Sequence, residues 1–198
     1  MVMNRYAESK RMTKETTIEA SLEVDGIGNS DISTSIPFFD HMLTTFAKHS
    51  GIDIVVKAFG DIDVDAHHLV EDVGIVIGSL LQKALGNKVG IARFASISLV
   101  LDEALVDVAI DLSGRPFLFY DVVIENSFPL GNPGFDPQLA EEFFRAFCFG
   151  AGICLHIELR RGKNSHHVLE AAFKGVARTI GAAKFQSGTE IPSTKGVL

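Results

Sequence analysis

His67-His68-Leu69-Val70-Glu71 and His166-His167-Val168-Leu169-Glu170 are two copies of one pattern, 99 positions apart in a chain of 198 residues. Each sets two imidazoles ahead of a carboxylate three and four positions on, and on an α-helix such positions share a face. One copy therefore offers three N/O donors to one side of a helix. That set suits a borderline divalent transition ion far better than Ca²⁺ or Mg²⁺. A single copy would be weak evidence, because adjacent histidines often lie on a solvated helix end. Two copies at matched places in the chain point to metal binding.

Neighbouring side chains on a helix diverge by about 100°, so adjacent histidines serve different ions. The simplest arrangement has two sites, each taking one His from each cassette and a Glu from one of them. Each site then lacks a fourth ligand. His41 in FFDHML (38–43) and His156 in CLHIEL (154–159) are the natural candidates, each preceding a cassette within an apolar run.

Working outward, both cassettes fall at the same point of a repeated order of elements. Thr16 to Val24 alternates apolar and polar residues as a half-buried strand does. Asp31 to Ile36 alternates again after a Gly-rich turn, which predicts a hairpin. A helix is expected over 38–48, a strand over 52–59 and a cassette helix over 69–85. The second half repeats this with strands near 95–101, 104–112 and 117–124, a helix over about 137–149, a strand over 153–160 and a helix over 168–183. Each half is expected to be a small sheet with two helices on one face. The division falls at 1–87 and 88–198, and the halves pack through their helices. The segment 125–137 carries three Pro and two Gly and is expected to be a mobile loop.

With 46% apolar residues the chain can bury a sizeable core. A net charge of −7 lacks the footprint of a nucleic-acid binder. Cys148 and Cys154 are spaced for neither a close zinc pair nor a disulfide framework and are expected to be core thiols. The N-terminal stretch has no apolar h-region, and no uncharged apolar run approaches ~18 residues. Neither export nor membrane insertion is expected, and the cytoplasm is the expected compartment.

FFDHML, HHLVEDVGI (67–75), DEAL (102–105) with DLSGRP (111–116), GICLHIELRRGKNSHHVLEAAFKG (152–175) and PSTKGVL (192–198) together resemble the imidazoleglycerol-phosphate dehydratase family. The resemblance runs from about Lys14 to the last residue. It implies an α+β fold of duplicated β/α half-domains, ribosomal S5 domain 2-like, and two Mn²⁺ ions per active site. One ion would take His41, His67, Glu71 and His166, and the other His68, His156, His167 and Glu170. It also implies a homo-oligomer, a cubic 24-mer, in which the cassettes sharing a site come from different subunits.

The implied reaction is the loss of water from D-erythro-imidazoleglycerol phosphate to give imidazoleacetol phosphate in histidine biosynthesis, through a metal-bound imidazolate. The hydroxyl beside the ring leaves, a proton leaves the adjoining carbon, and the enol becomes a ketone. Glu15 is the candidate base, with Glu71 and Glu170 as catalytic carboxylates. The substrate would meet Glu15, His41, His49, His67 and His166, and its phosphate Arg93, Arg115, Lys174, Ser193 and Lys195. The tail PSTKGVL would cover it. Asp40 and Asp72, beside ligands, are expected to orient imidazoles. Ala66 and Leu69 stand where an acidic residue and Thr are usual in the family.

The cassettes alone also fit a dinuclear hydrolase with water between its ions, or a metal-storage shell. The basic set and the PSTKG tail favour the lyase.

Overall fold

The computed structural model describes residues 5–125 and 127–198. Residues 1–4, counted in the first half, and Asn126, in the expected mobile loop, lie outside them. Strands β1 (Tyr6–Met12), β2 (Thr16–Glu23), β3 (Ser30–Ser33) and β4 (Asp53–Gly60) form one four-stranded sheet, with helices α1 (Pro37–Ser50) and α2 (His67–Leu85). Strands β5 (Phe94–Leu101), β6 (Ala104–Asp111), β7 (Phe117–Asp121) and β8 (Cys154–Arg161) form the second, with α3 (Leu139–Ala151) and α4 (Ser165–Ala183). The strand orders β1-β2-β4-β3 and β5-β6-β8-β7 are the same, so the duplication read in the cassettes extends to topology.

Ile18, Ala20 and Leu22 of β2 are buried and Thr17, Glu19 and Ser21 are not, as a strand with one covered face requires. The helices supply the cover. α2 packs on β1, β2 and β4, α4 packs on β5 and β6, and α1 pairs with α4 while α2 pairs with α3. The two halves therefore meet through a shared helix layer. Seven fully buried phenylalanines, Phe39, Phe46, Phe135, Phe143, Phe144, Phe147 and Phe173, fill it, each worth about 1.5–3 kcal/mol of burial.

The α2–α3 contact is close enough to require glycine. A Cβ at Gly78 would stand 2.3 Å from the Phe147 carbonyl oxygen, and one at Gly150 2.6 Å from that of Ile75. No helix among the described residues is long and apolar enough to cross a membrane.

Three expectations are corrected. β2 and β3 are not a hairpin, because β4 lies between them, antiparallel to β2 and parallel to β3. The Asp53 carboxylate accepts from the Ile27 and Asn29 amides at 2.9 and 2.7 Å, which pins the turn over the start of β4 and sends the chain to its far side. β1 is an additional strand. Only Ala7 of its residues is buried, so it carries no alternating apolar signal, and pairing with β2 holds it. Within the expected mobile loop 125–137, the stretch from Leu130 to Phe135 is anchored rather than loose: Phe135 is fully buried against Phe38 and Phe39, and Leu130 and Phe135 exchange backbone hydrogen bonds.

Candidate metal centre

Both cassettes occupy the first turn of a helix. Asn164 caps α4, its side-chain oxygen accepting from the amides of His166 and His167 at 2.9 and 3.3 Å. Ala66 offers α2 no such oxygen, and the Asp65 carboxylate accepts from the His67 amide at 2.7 Å instead. Within each pair the rings stand nearly perpendicular, at 89° for His67 and His68 and 80° for His166 and His167. The pairs thus split as helix geometry requires.

One member of each pair is turned to a carboxylate. His68 Nδ1 lies 3.1 Å from Asp61 and His167 Nδ1 lies 2.7 Å from Glu103. These contacts raise both imidazole pKa values, and the hydrogen bonds from His167 and the Asn164 amide bring Glu103 down to about 2. A ring so held at Nδ1 presents Nε2 in a fixed direction, the usual way a ligand imidazole is oriented.

The other members point to carboxylates of their own helices. His166 Nε2 is 2.9 Å from Glu170 Oε2, and His41 Nε2, from α1, is 3.4 Å from the same oxygen. Donor atoms of His41, His166 and Glu170 all lie within 4.8 Å of one another, and among the described residues no other trio of such groups does. Phe38 sets the edge of this cluster, its ring 5.2 Å from that of His166. Burial alone would raise the Glu170 pKa, but the hydrogen bond and charge of Lys174, with the hydrogen bond of His166 and the charge of His41, together outweigh it and hold the carboxyl below the usual range. Two imidazoles and one ionised carboxylate are a fitting partial shell for a divalent transition ion. His67 and Glu71 pair more loosely in α2, at 3.9 Å.

The remaining residues are dispersed. His156 lies on the face of the second sheet away from the helices, exposed between Phe117 and Phe119. Glu15 sits on the β1–β2 turn, its carbonyl accepting from the Asp61 amide and its charge adding to the raised pKa of His68. His49 is half-buried at the end of α1, its pKa lowered by burial and then by the charges of Lys174 and Arg178. Arg93 is engaged by Asp111 and by the Pro192 carbonyl, both at 2.7 Å, so it fastens the C-terminal segment. Ser193 and Lys195 lie in a turn beyond that contact, and Leu198 lies against Gly114, beside exposed Arg115.

Asp40 and Asp72 do not orient imidazoles. Asp40 accepts from the amide and hydroxyl of Thr34, and Asp72 from Arg11 and Thr16, so both brace helices against neighbouring strands. Asp61 and Glu103 perform the expected task and were missed, since nothing local in GDIDVDA or DEAL marks a carboxylate as facing a later histidine.

Glu142 holds in the second half the position that His41 holds in the first. It stands as far before Gly152, which ends α3, as His41 stands before Gly51, which ends α1. A cavity of about 410 Å³ has Glu142, Asp136, Asp65 and His67 in its wall.

The family model described as imidazoleglycerol-phosphate dehydratase matches residues 34–180. The chain belongs to that family. Imidazoleglycerol-phosphate dehydratase from Rhodopseudomonas palustris (strain HaA2) is 52% identical over 98% of both chains, and that from Thermoanaerobacter pseudethanolicus is 51% identical over 98% of this chain and 100% of its own. Among solved structures, imidazoleglycerol-phosphate dehydratase from Staphylococcus aureus N315 has a TM-score of 0.81 at 37% identity, covering 92% of this chain and 99% of its own. The Pyrococcus furiosus enzyme in complex with (S)-C348 has a TM-score of 0.83 at 36% identity, covering 96% of this chain and 100% of its own. Imidazoleglycerol-phosphate dehydratases are hydro-lyases of histidine biosynthesis, and membership assigns that activity to this chain.

Proposed function

We propose that the chain dehydrates D-erythro-imidazoleglycerol phosphate at a dinuclear Mn²⁺ site completed between copies of the chain. The observation that carries this reading is the convergence of His41 and His166 on one oxygen of Glu170, while His167 and His68 are turned aside by Glu103 and Asp61. One chain thus offers partial shells facing different directions, which suits sites shared in a homo-oligomer such as the cubic 24-mer. The halves divide at 87/88 in this reading, and the enzyme works in the cytoplasm.

Each ion would draw one imidazole from each cassette, with His41, His67 and His166 in one shell and His68 and His167 in the other. For the remaining ligand from the second half, the repeat favours Glu142 over His156. Glu142 takes the place of His41 and shares a cavity wall with His67, whereas His156 lies on the outer sheet face. When bound, a divalent ion supplies Lewis acidity to a coordinated imidazole.

The chain's own groups do the rest. Glu15, on an exposed turn beside the His68–Asp61 pair, accepts the proton from the carbon adjoining the leaving hydroxyl, and the enol becomes the ketone. Lys174 fixes Glu170 by holding its other oxygen at 2.7 Å. Lys174, Arg115, Ser193 and Lys195 meet the phosphate, while Arg93 ties the tail down through Pro192.

Purified protein supplied with Mn²⁺ and imidazoleglycerol phosphate is expected to accumulate the keto product. A yield no greater than that of His166→Ala would reject the reading.

A further inference from the structure

Each cassette is entered from a loop, and the two loops differ in charge. Between β4 and α2 the chain reads Asp61-Ile62-Asp63-Val64-Asp65-Ala66, with three carboxylates and no cation. At the matching place β8 ends on Arg160 and Arg161, and Gly162-Lys163-Asn164 leads into α4 with no carboxylate. Asp61 and Asp65 are committed to His68 and to the His67 amide, and Arg160 to Asp107 and Glu158. That leaves Asp63 on one loop and Arg161 and Lys163 on the other, all exposed. None of these side chains makes a hydrogen bond or ion pair among the described residues.

Each loop also carries exposed apolar surface. Val64, 72% exposed, lies on the acidic loop between Asp63 and Asp65. Beside the basic segment is a cavity of about 680 Å³, with Val123, Arg161, Gly162 and Lys163 in its wall and Glu125 as its single carboxylate. Val123 is 74% exposed. An apolar side chain flanked by carboxylates thus has a counterpart in an apolar wall flanked by cations. Within one chain the two are kept apart, because α2 packs on α3 and α4 on α1. No ion pair among the described residues joins the loops.

We propose that the acidic loop 61–66 of one copy of the chain docks in the cavity beside segment 160–164 of a second copy, Asp63 meeting Arg161 and Lys163, and Val64 meeting Val123. This rests on the reading that each metal site is completed between copies. Each ion then draws on both cassettes, so the loops leading into unlike cassettes are brought together. Asp63 stands four residues ahead of His67, and Lys163 three ahead of His166. Unlike loops attract, whereas two acidic or two basic loops set face to face would repel. The contact is therefore heterologous, one surface against a different one, and the charge difference between the halves gives the assembly its polarity.

Two one-sided variants test this: Asp63→Lys, and Arg161→Glu combined with Lys163→Glu. Each leaves the free charges of both loops alike in sign. Purified chains with Mn²⁺ are sized by sedimentation velocity over a concentration series, with metal content and circular dichroism in parallel. The wild type is expected to assemble, and to loosen as salt is raised. Each one-sided variant should need at least ~10-fold more protein to assemble, since like charges now face each other. Arg161→Gln with Lys163→Gln, which adds no carboxylate, should be intermediate. A chain carrying Asp63→Lys, Arg161→Glu and Lys163→Glu together should assemble as the wild type does, because opposite signs are restored. One-sided variants that assemble like the wild type would overturn the proposal and leave the cavity to a small anion, while the sharing of sites would stand. Failure of the triply substituted chain to recover would also overturn it. A wild type that stays monomeric with metal would reject the sharing of sites and the docking with it.

Discussion

Lys174 donates to Glu170 Oε1 at 2.7 Å, leaving Oε2 alone to face His166 and His41. The ammonium favours the ionised carboxylate and leaves one oxygen to face the two imidazoles. Glu170→Gln removes that charge while preserving shape, so bound Mn²⁺ is expected to fall at least ~10-fold, a ligand loss being no milder than the loss of an orienting partner. Elemental analysis after gel filtration checks this. Full metal content in the variant would remove Glu170 from the shell.

His167 depends on Glu103 for its orientation. Glu103→Gln is expected to lower metal affinity about 10- to 100-fold with the fold intact, as read by metal titration beside circular dichroism. Unchanged affinity would mean that the 2.7 Å contact plays no part in ligation.

Glu142 and His156 are alternatives for one role and separate cleanly. Glu142→Ala is expected to reduce metal stoichiometry and activity together. His156→Ala is expected to leave stoichiometry near that of the wild type, since the ring lies exposed on the outer sheet face. The reverse outcome would restore His156 to the shell and place the outer face of the second sheet at a shared site.

Gly78→Ala puts a methyl group against the Phe147 carbonyl, 2.3 Å away before any relaxation. Overpacking of this kind costs about 1–3 kcal/mol, so urea unfolding should show that loss. Gly86→Ala, with open space around its Cβ, has no such clash and separates packing from backbone strain.

Arg5 hydrogen-bonds Asp25 and holds its carboxyl below the ordinary pKa of 3.8. Because the folded-state pKa is depressed, the stabilisation is complete above 3.8 and disappears as pH falls through the folded value. With Asp25 partly solvated, Asp25→Asn should cost only about 0.5 kcal/mol at pH 7, with a smaller difference at pH 3. A gap that widened in acid would contradict this assignment.

The repeated HHxxE, the alternation of Thr16 to Val24 and the helix-ending glycines are local signals, and they sufficed for the half-domain architecture and the cassette helices. The split of each histidine pair was also legible, because it follows from the angle between successive residues on any helix. β1 was not, since its strand status depends on the partner it finds in β2 rather than on a buried face of its own. The β2–β3 connection failed for a related reason: an apparent hairpin turn is redirected by Asp53, far along the chain.

What the sequence determined by itself was the donor inventory and its duplication, because residue type and helical period are properties of the chain. Which carboxylate meets which imidazole was decided only by tertiary structure. Glu170 rather than Glu71 joins His41 because α1 packs against α4, and His167 and His68 find Glu103 and Asp61 because strand ends and loops arrive beside them. Such pairings arise from packing between elements distant in sequence, and the spacing of residues along one element carries no record of them.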